Sequence, residues 1–484
     1  MLIALNGFCH NYEIEQLTRM FTKDTEVTSC TKHPHTQTGG FLYVRQNRTK
    51  VFVALCYNNV LYKAFLKIDS DKGKMERAVC TAAYGFYTKA FEKTLPWGML
   101  TGVRPVRLVR NLCKENGGLQ GAKNTLAQEY FVQAEKIKLC QDIFTLQKPI
   151  VADIMPKDYS LYISIPFCPS KCSYCTFIST PSQNADKLME EYVEKLCQEI
   201  AFTGKNAQRE GLKLKTVYIG GGTPTAISAQ QLARVMEAVR ENFDLSTVKE
   251  YSVEAGRPDC TTYEKLEVIK NYGADRVSIN PQTFSDEVLR AIGRKHTHQD
   301  FLDCYKLAKG LQFKTINTDL IAGLPKDTVE SFERSVQGCI DLGAENITVH
   351  TLTLKRASSL AKAENEHNDH RQVSTMLQKT ALLYENGYVP YYMYRQKATL
   401  ENLENVGFSQ PYHESLYNIY IMEELQTIVS CGAGAVSKVI GTNGEIKRVY
   451  NYKYPFEYVR GFEEILNRKV EVYNLWRQYG YQNG

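Results

Sequence analysis

Two tryptophans in 484 residues and no long unbroken apolar run are the first things this sequence shows by their scarcity. No run reaches the ~18 apolar residues a membrane-crossing helix needs, so no span is expected. The start, Met1-Leu-Ile-Ala-Leu-Asn6, has no basic flank and too short an apolar stretch for a secretory signal, which predicts a cytoplasmic protein. Charge of one sign is also scarce: 59 basic against 53 acidic residues leave a net +6, too mild over this length to imply nucleic-acid binding by itself. With 43% apolar and 23% charged residues, wholesale disorder is excluded. The length allows about three domains.

Cysteine is not scarce. There are 14, and size together with the missing signal argues against a secreted disulfide scaffold. Eleven are scattered: Cys9, Cys30, Cys56, Cys80, Cys113, Cys140, Cys197, Cys260, Cys304, Cys339 and Cys431. They read as small core residues. The other three, Cys168, Cys172 and Cys175, form C-x3-C-x2-C.

The sequence pattern divides the chain into an N-terminal α/β module over 1–95, a helical linker region over 96–150, a core barrel over 151–387 and a smaller C-terminal α/β domain over 388–484. In the first, Phe41–Arg45 and Lys50–Cys56 read as strands, with turns at Gly39-Gly40 and Asn58-Asn59. The linker is expected to turn helical near Pro96-Trp97-Gly98. There, Arg104, Arg107, Arg110 and Lys114 fall at helical spacing; a solvated basic face is the expectation, a dock for RNA or a propionate-bearing tetrapyrrole the alternative. From about residue 158 strands alternate with helices. Strands are expected at Leu161–Ile165, Thr216–Ile219, Tyr251–Ala255, Arg276–Ile279, Thr315–Ile321 and Ile347–Leu352. Helices are expected at Lys187–Phe202, Ala229–Phe243, Thr261–Tyr272, Asp300–Gly310, Val329–Leu342 and Val373–Gly387. Six βα units are too few for a closed eightfold barrel, so a partial, open (β/α)6 barrel is expected, with its chemistry on the loops after the strands. The C-terminal segment is expected to pack over the barrel's open edge.

The three cysteines follow the first barrel strand through Ile165-Pro166-Phe167, in a polar loop holding Pro169, Ser170 and Lys171 that would make a poor core. A structural zinc usually takes four ligands in two separated pairs; no second pair follows, and His296 and His298 are too isolated to supply one. Three thiolates on a four-iron cluster leave one iron open to a small chelating molecule, and that reading is preferred.

With an aromatic residue, Tyr174, before the last cysteine, this loop resembles that of the radical S-adenosylmethionine superfamily. Further runs narrow the likeness: Gly220-Gly221-Gly222-Thr223-Pro224-Thr225, Val253-Glu254-Ala255, Ser278–Thr283 with Gly293-Arg294-Lys295-His296, and Asp319–Pro325. Together they resemble the oxygen-independent coproporphyrinogen III oxidase family; Asn280-Pro281, the Glu254–Asp259 run and the long N-terminal region resemble its HemZ branch. The resemblance implies a [4Fe-4S] cluster on Cys168, Cys172 and Cys175 and S-adenosylmethionine on the open iron. It implies cofactor contacts at Tyr162, Tyr174, Gly221, Gly222, Thr223 and Glu254. Gln282, Arg294 and Asp319 match positions that family members use around a second S-adenosylmethionine.

Independently of that likeness, a carboxylate such as Glu254 or Asp319 in apolar company at a strand end needs a partner, either a ligand or an internal salt bridge to Arg276 or Arg294. A porphyrinogen carries propionates, for which Lys355 and Arg356 are the candidate cations. Arg395 and Lys397, beside Tyr391, Tyr392 and Tyr394, are either a ring-stacking rim or surface charge over core aromatics. His350 is a core or a rim residue; His367 and His370 read as solvated.

The resemblance implies oxidative decarboxylation of coproporphyrinogen III to protoporphyrinogen IX, with a flavodoxin or ferredoxin as electron donor and no nucleic acid. Two departures touch the substrate: Phe177 stands where familiar members carry a fourth cysteine, and Ser164 where they carry histidine. Phe177 is shared with the family's haem-chaperone branch, which makes a haem carrier the alternative; another tetrapyrrole-acting radical protein is a further one.

Overall fold

In the computed structural model, the structure describes residues 1–8, 12–22, 25–29, 40–69, 71–177, 179–182, 185–354, 358–360, 372–397, 399–442 and 444–480. Two compact units emerge, one of residues 1–144 with 401–403, the other of 145–400 with 404–484.

The first unit holds a five-stranded sheet of β1 (Leu2–Asn6), β2 (Glu26–Ser29), β3 (Phe41–Gln46), β4 (Lys50–Tyr57) and β5 (Val60–Lys67), in the order β2-β1-β3-β4-β5. Both expected strands are present. Asn58 and Asn59, at φ 50° and 63°, make the tight turn between β4 and β5, a conformation that asparagine tolerates better than most residues. The helix Lys72–Ala90 buries Met75, Val79, Ala83 and Tyr87, which join Ile3, Leu42, Val44, Val53 and Leu55 in one core. Helices follow at Pro105–Glu115, Leu119–Gln128 and Ala134–Ala152. The first starts well after Pro96, because Gly98 at φ +54° turns the chain and Pro105 supplies the first helical position. A cavity of about 330 Å³ in this unit is lined by Glu13, Arg77, Cys80 and Arg104 among others.

The second unit is built on one eleven-stranded sheet and a two-stranded pair, β7 (Phe167–Cys168) with β8 (Thr180–Pro181). Six parallel strands form the barrel portion: β6 (Asp158–Ile165), β9 (Lys213–Gly221), β10 (Glu250–Glu254), β11 (Arg276–Ser278), β12 (Thr315–Ala322) and β13 (Asn346–Thr351). Each expected strand and helix has its counterpart; the last expected helix is divided into Val373–Gln378 and Ala381–Glu385. The sheet remains open, so the partial α/β barrel stands.

The C-terminal segment departs from expectation. Rather than covering one edge, it lengthens the same sheet at both ends. β14 (Val389–Arg395) and β15 (Glu404–Ser409) add antiparallel beside β13, while β16 (Thr427–Cys431) pairs parallel with β6 and carries β17 (Val436–Ile440) and β18 (Ile446–Tyr450). This satisfies the ladder groups that an open barrel would leave exposed at its edges.

Beneath the turn after β16 lies an ion pair with both side chains buried, Lys469 Nζ to Glu199 Oε1 at 3.0 Å. Glu199 also accepts from the Gly432 N–H, Tyr458 Oη and Asn451 Nδ2 at 2.7, 2.6 and 2.8 Å. The carboxylate thereby has the several donors that its burial demands. Ser164 is committed to the same turn, its hydroxyl donating to the Ala433 carbonyl at 2.8 Å.

Candidate active site

The strand register sets the site. Ile165 lies beside Gly221, Glu254 beside Ser278 and Ser278 beside Asn317, so the loops after β6, β9, β10, β11 and β12 open at one end of the sheet, where parallel α/β folds place their chemistry.

The cysteine loop leaves β6 at Pro166 and is pinned from several sides. Backbone N–H groups of Gly222 and Thr223 donate to the carbonyls of Ile165 and Phe167 at 2.9 and 2.8 Å, and Ser182 N–H donates to the Cys168 carbonyl at 2.8 Å. The glycine loop is therefore seated directly on the cysteine loop. A Cβ on Gly222 would stand 2.6 Å from the Phe167 carbonyl oxygen and 3.0 Å from Cys168 Sγ, and Gly221 sits at φ +113°; side chains at these positions would push the two loops apart. Thr223 Oγ1 lies 3.4 Å from Cys168 Sγ. Burial raises the Cys175 thiol above its ordinary value. All twelve cysteines among the described residues are free; of the scattered ones, Cys80, Cys140, Cys304, Cys339 and Cys431 are buried. Cys9 and Cys30 lie outside the described residues.

Among the described residues no three His, Cys, Asp or Glu side chains converge to hold one metal ion. A cubane asks for a different arrangement, each thiolate taking its own iron. A three-thiol loop pinned against a glycine cradle suits that group.

Glu254 ends β10 and accepts from Tyr218 Oη. Burial first, and the nearby Asp319 charge second, push its carboxyl up to about 7. Tyr218 stacks on Tyr417 at 4.4 Å between ring centroids, and Tyr162 flanks both at 6.2 Å. Asp319 accepts from Asn317 Nδ2 at 2.9 Å and faces His350 Nε2 at 3.6 Å; His350 Nδ1 in turn lies 3.3 Å from Tyr394 Oη. Neither carboxylate takes the arginine salt bridge weighed from the sequence. Arg276 lies 3.6 Å from Glu250 instead, and Arg294 donates to the Gly256 carbonyl and Tyr174 Oη at 3.0 and 3.2 Å. Gln282, buried at φ +66°, donates its N–H to the Asp319 carbonyl at 2.9 Å. A non-glycine residue held in the left-handed region at a strand end marks a place where surroundings override local preference. Burial, then the Arg294 charge, brings His296 down to about 4, so it is neutral at physiological pH.

The structure thus brings Tyr162, Tyr174, Gly221, Gly222, Thr223, Glu254, Gln282, Arg294 and Asp319 to the same end of the sheet as the three cysteines. Lys355 and Arg356 lie outside the described residues, as do His367 and His370. Of the aromatic cluster, Tyr391 and Tyr392 are core residues packed with Ile419 and Tyr420; Tyr394 alone contacts the rim, through His350. Sequence reasoning missed Arg257, which donates to Cys172 Sγ at 3.5 Å. An arginine two residues before an aspartate in a strand-end loop was the available signal. It also missed Tyr218, Asn280 and Asn317, which hold the carboxylates in place.

This geometry defines a partial-barrel protein whose strand ends carry a three-cysteine loop, a glycine cradle and a chain of polar side chains, the arrangement of a radical S-adenosylmethionine protein. The profile of the Radical SAM superfamily matches residues 162–338. The chain is 41% identical over 385 residues to the oxygen-independent coproporphyrinogen-III oxidase-like protein HemZ of Bacillus subtilis, covering 78% of this chain and 77% of that one. It is 27% identical over 314 residues to the heme chaperone HemW of Escherichia coli, 65% of this chain and 79% of that one. Among solved structures, coproporphyrinogen III oxidase (HemN) from Escherichia coli, a radical SAM enzyme, superposes with a TM-score of 0.52 at 25% identity, covering 67% of this chain and 73% of that one. The chain belongs to the HemN/HemZ family of radical SAM proteins, whose cofactors are a [4Fe-4S] cluster and S-adenosylmethionine. No helix among the described residues is long and apolar enough to cross a membrane.

Proposed function

We propose that the protein oxidatively decarboxylates two propionates of coproporphyrinogen III to vinyl groups, giving protoporphyrinogen IX without molecular oxygen. The observation that carries this reading is the polar chain Glu254, Asp319, His350 and Tyr394, which runs across the strand ends from the cofactor side to the last barrel strand.

When bound, the cluster and S-adenosylmethionine supply a 5′-deoxyadenosyl radical that removes a hydrogen atom from the substrate. Cys168, Cys172 and Cys175 hold the cluster, and a flavodoxin or ferredoxin delivers its electron. Gly221, Gly222 and Thr223 let backbone approach the cofactor's amino-acid end. Glu254, Tyr162 and Tyr174 position the remainder, and Gln282, Arg294 and Asp319 line the space for a second S-adenosylmethionine. In this reading His350, between Asp319 and Tyr394, meets a propionate, and Lys355 and Arg356, next in sequence but outside the described residues, are the cations for the other carboxylates.

A second reading, haem carriage, is favoured by Phe177, which is 69% exposed where a fourth cysteine would otherwise stand, and by the HemW relatives. Anaerobic incubation with coproporphyrinogen III, reductant and S-adenosylmethionine decides between them. Divinyl product supports the oxidase; no vinyl product, together with stable haem binding and transfer to an apoprotein, overturns it in favour of the carrier.

A further inference from the structure

Arg257 is buried in the loop after β10, with a relative exposure of 3%, and every one of its five N–H donors has an acceptor. Nε and Nη2 donate to the two carboxylate oxygens of Asp259 at 2.8 and 2.7 Å. Nη2 also donates to Ser170 Oγ at 2.9 Å, and Nη1 to the Ser170 carbonyl at 3.2 Å. The fifth bond runs from Nη1 to Cys172 Sγ at 3.5 Å. Such a planar five-donor fork is specific to arginine; lysine has the charge but only three donors at a single point. Asp259 fixes the fork from one side and the cysteine loop occupies the other, so the guanidinium edge is held against the sulfur rather than passing near it.

We infer that Arg257 is a positioning residue that sets the electron affinity of the cluster through the Cys172 sulfur. The inference rests on the assignment of that cysteine as a cluster ligand. Reduction places one more negative charge on the iron–sulfur unit and its thiolates. A buried cation donating a hydrogen bond to one thiolate favours that reduced state, and hydrogen bonds to sulfur are among the factors that set cluster potentials. In a radical SAM site, where the electron enters through the cluster, this lightens the demand on the reductant. Arg294, bonded to Tyr174 Oη within the same loop, adds a second guanidinium nearby. Of these two guanidinium groups, Arg257 is the one hydrogen-bonded to a cysteine sulfur.

The test uses the full chain, reconstituted anaerobically as wild type, Arg257→Met and Arg257→Lys. Iron and sulfide content are measured first, then the reduced fraction by electron paramagnetic resonance at set potentials. The inference expects Arg257→Met to retain about four irons and to show about a tenfold lower ratio of reduced to oxidised cluster at a given potential, equivalent to about 59 mV for one electron. Arg257→Lys should shift the same way by less. If Arg257→Met fails to take up iron, Arg257→Lys carries the test. Loaded variants that titrate at the wild-type potential reduce Arg257 to a loop staple and overturn the inference. A wild-type chain that never takes up iron overturns the cysteine assignment and this inference with it.

Discussion

Replacing Glu254 by glutamine should make the cofactor-free protein more stable and the cofactor complex weaker. The carboxyl sits at the end of β10 with Tyr218 as its donor and the Asp319 charge nearby, and its pKa is carried from 4.5 to about 7. A group that ionises later when folded than when unfolded opposes folding as pH rises. Its contribution is fully favourable below 4.5 and is lost progressively up to about 7. At about 1.4 kcal/mol for each pH unit, the cost to the wild type above neutrality is at most about 3.5 kcal/mol; the side chain is only partly buried by its accessible surface, so roughly half of that is the working expectation. Glu254→Gln removes this cost while keeping a shape that still accepts from Tyr218. Thermal melts of the cofactor-free chain should coincide near pH 4.5 and separate by several degrees near pH 8, with the variant higher. The loss appears on binding. A hydrogen bond to a charged group is worth about 1.5–3 kcal/mol, so S-adenosylmethionine should bind the reconstituted variant about 10- to 100-fold more weakly in equilibrium dialysis. Melts that coincide at every pH would refute the burial-and-Asp319 argument. Unchanged cofactor binding would refute the placement of Glu254 against the ligand.

Two further outcomes test other parts of the molecule. Cys168→Ala, Cys172→Ala and Cys175→Ala should each abolish the cluster's absorption and its iron after anaerobic reconstitution, whereas Cys339→Ala, a fully buried core change, should keep both. Lys469→Met leaves the buried Glu199 carboxylate without its cation and should cost about 3–5 kcal/mol in denaturant unfolding of the cofactor-free chain; the double change with Glu199→Gln should recover much of it.

The sequence by itself determined whatever depends on short-range order. Alternation of apolar strands with helical segments is a local pattern, so Thr315–Ile321 could be read within one residue of the observed Thr315–Ala322. The cysteine spacing, the glycine loop one unit later and the acidic residues at strand ends are likewise local, and each falls where a βα repeat places it. The tertiary structure alone decided which strands became neighbours. Nothing in the pattern of β16 says that it will pair with β6, since periodicity reports which face is apolar and not which edge is free. Tyr392 and Tyr394 share one face of β14, stacked at 6.4 Å, and position along the strand, not face, set their roles: Tyr392 joins Tyr391, Ile419 and Tyr420 in the core while Tyr394, two residues on, reaches His350. The bond from Arg257 to Cys172 joins residues 85 apart in sequence. Such a bond follows from a distance in space, which only the packed sheet sets: two loops become neighbours at its end because their strands pack side by side, and the burial that shifts Glu254 arises there as well.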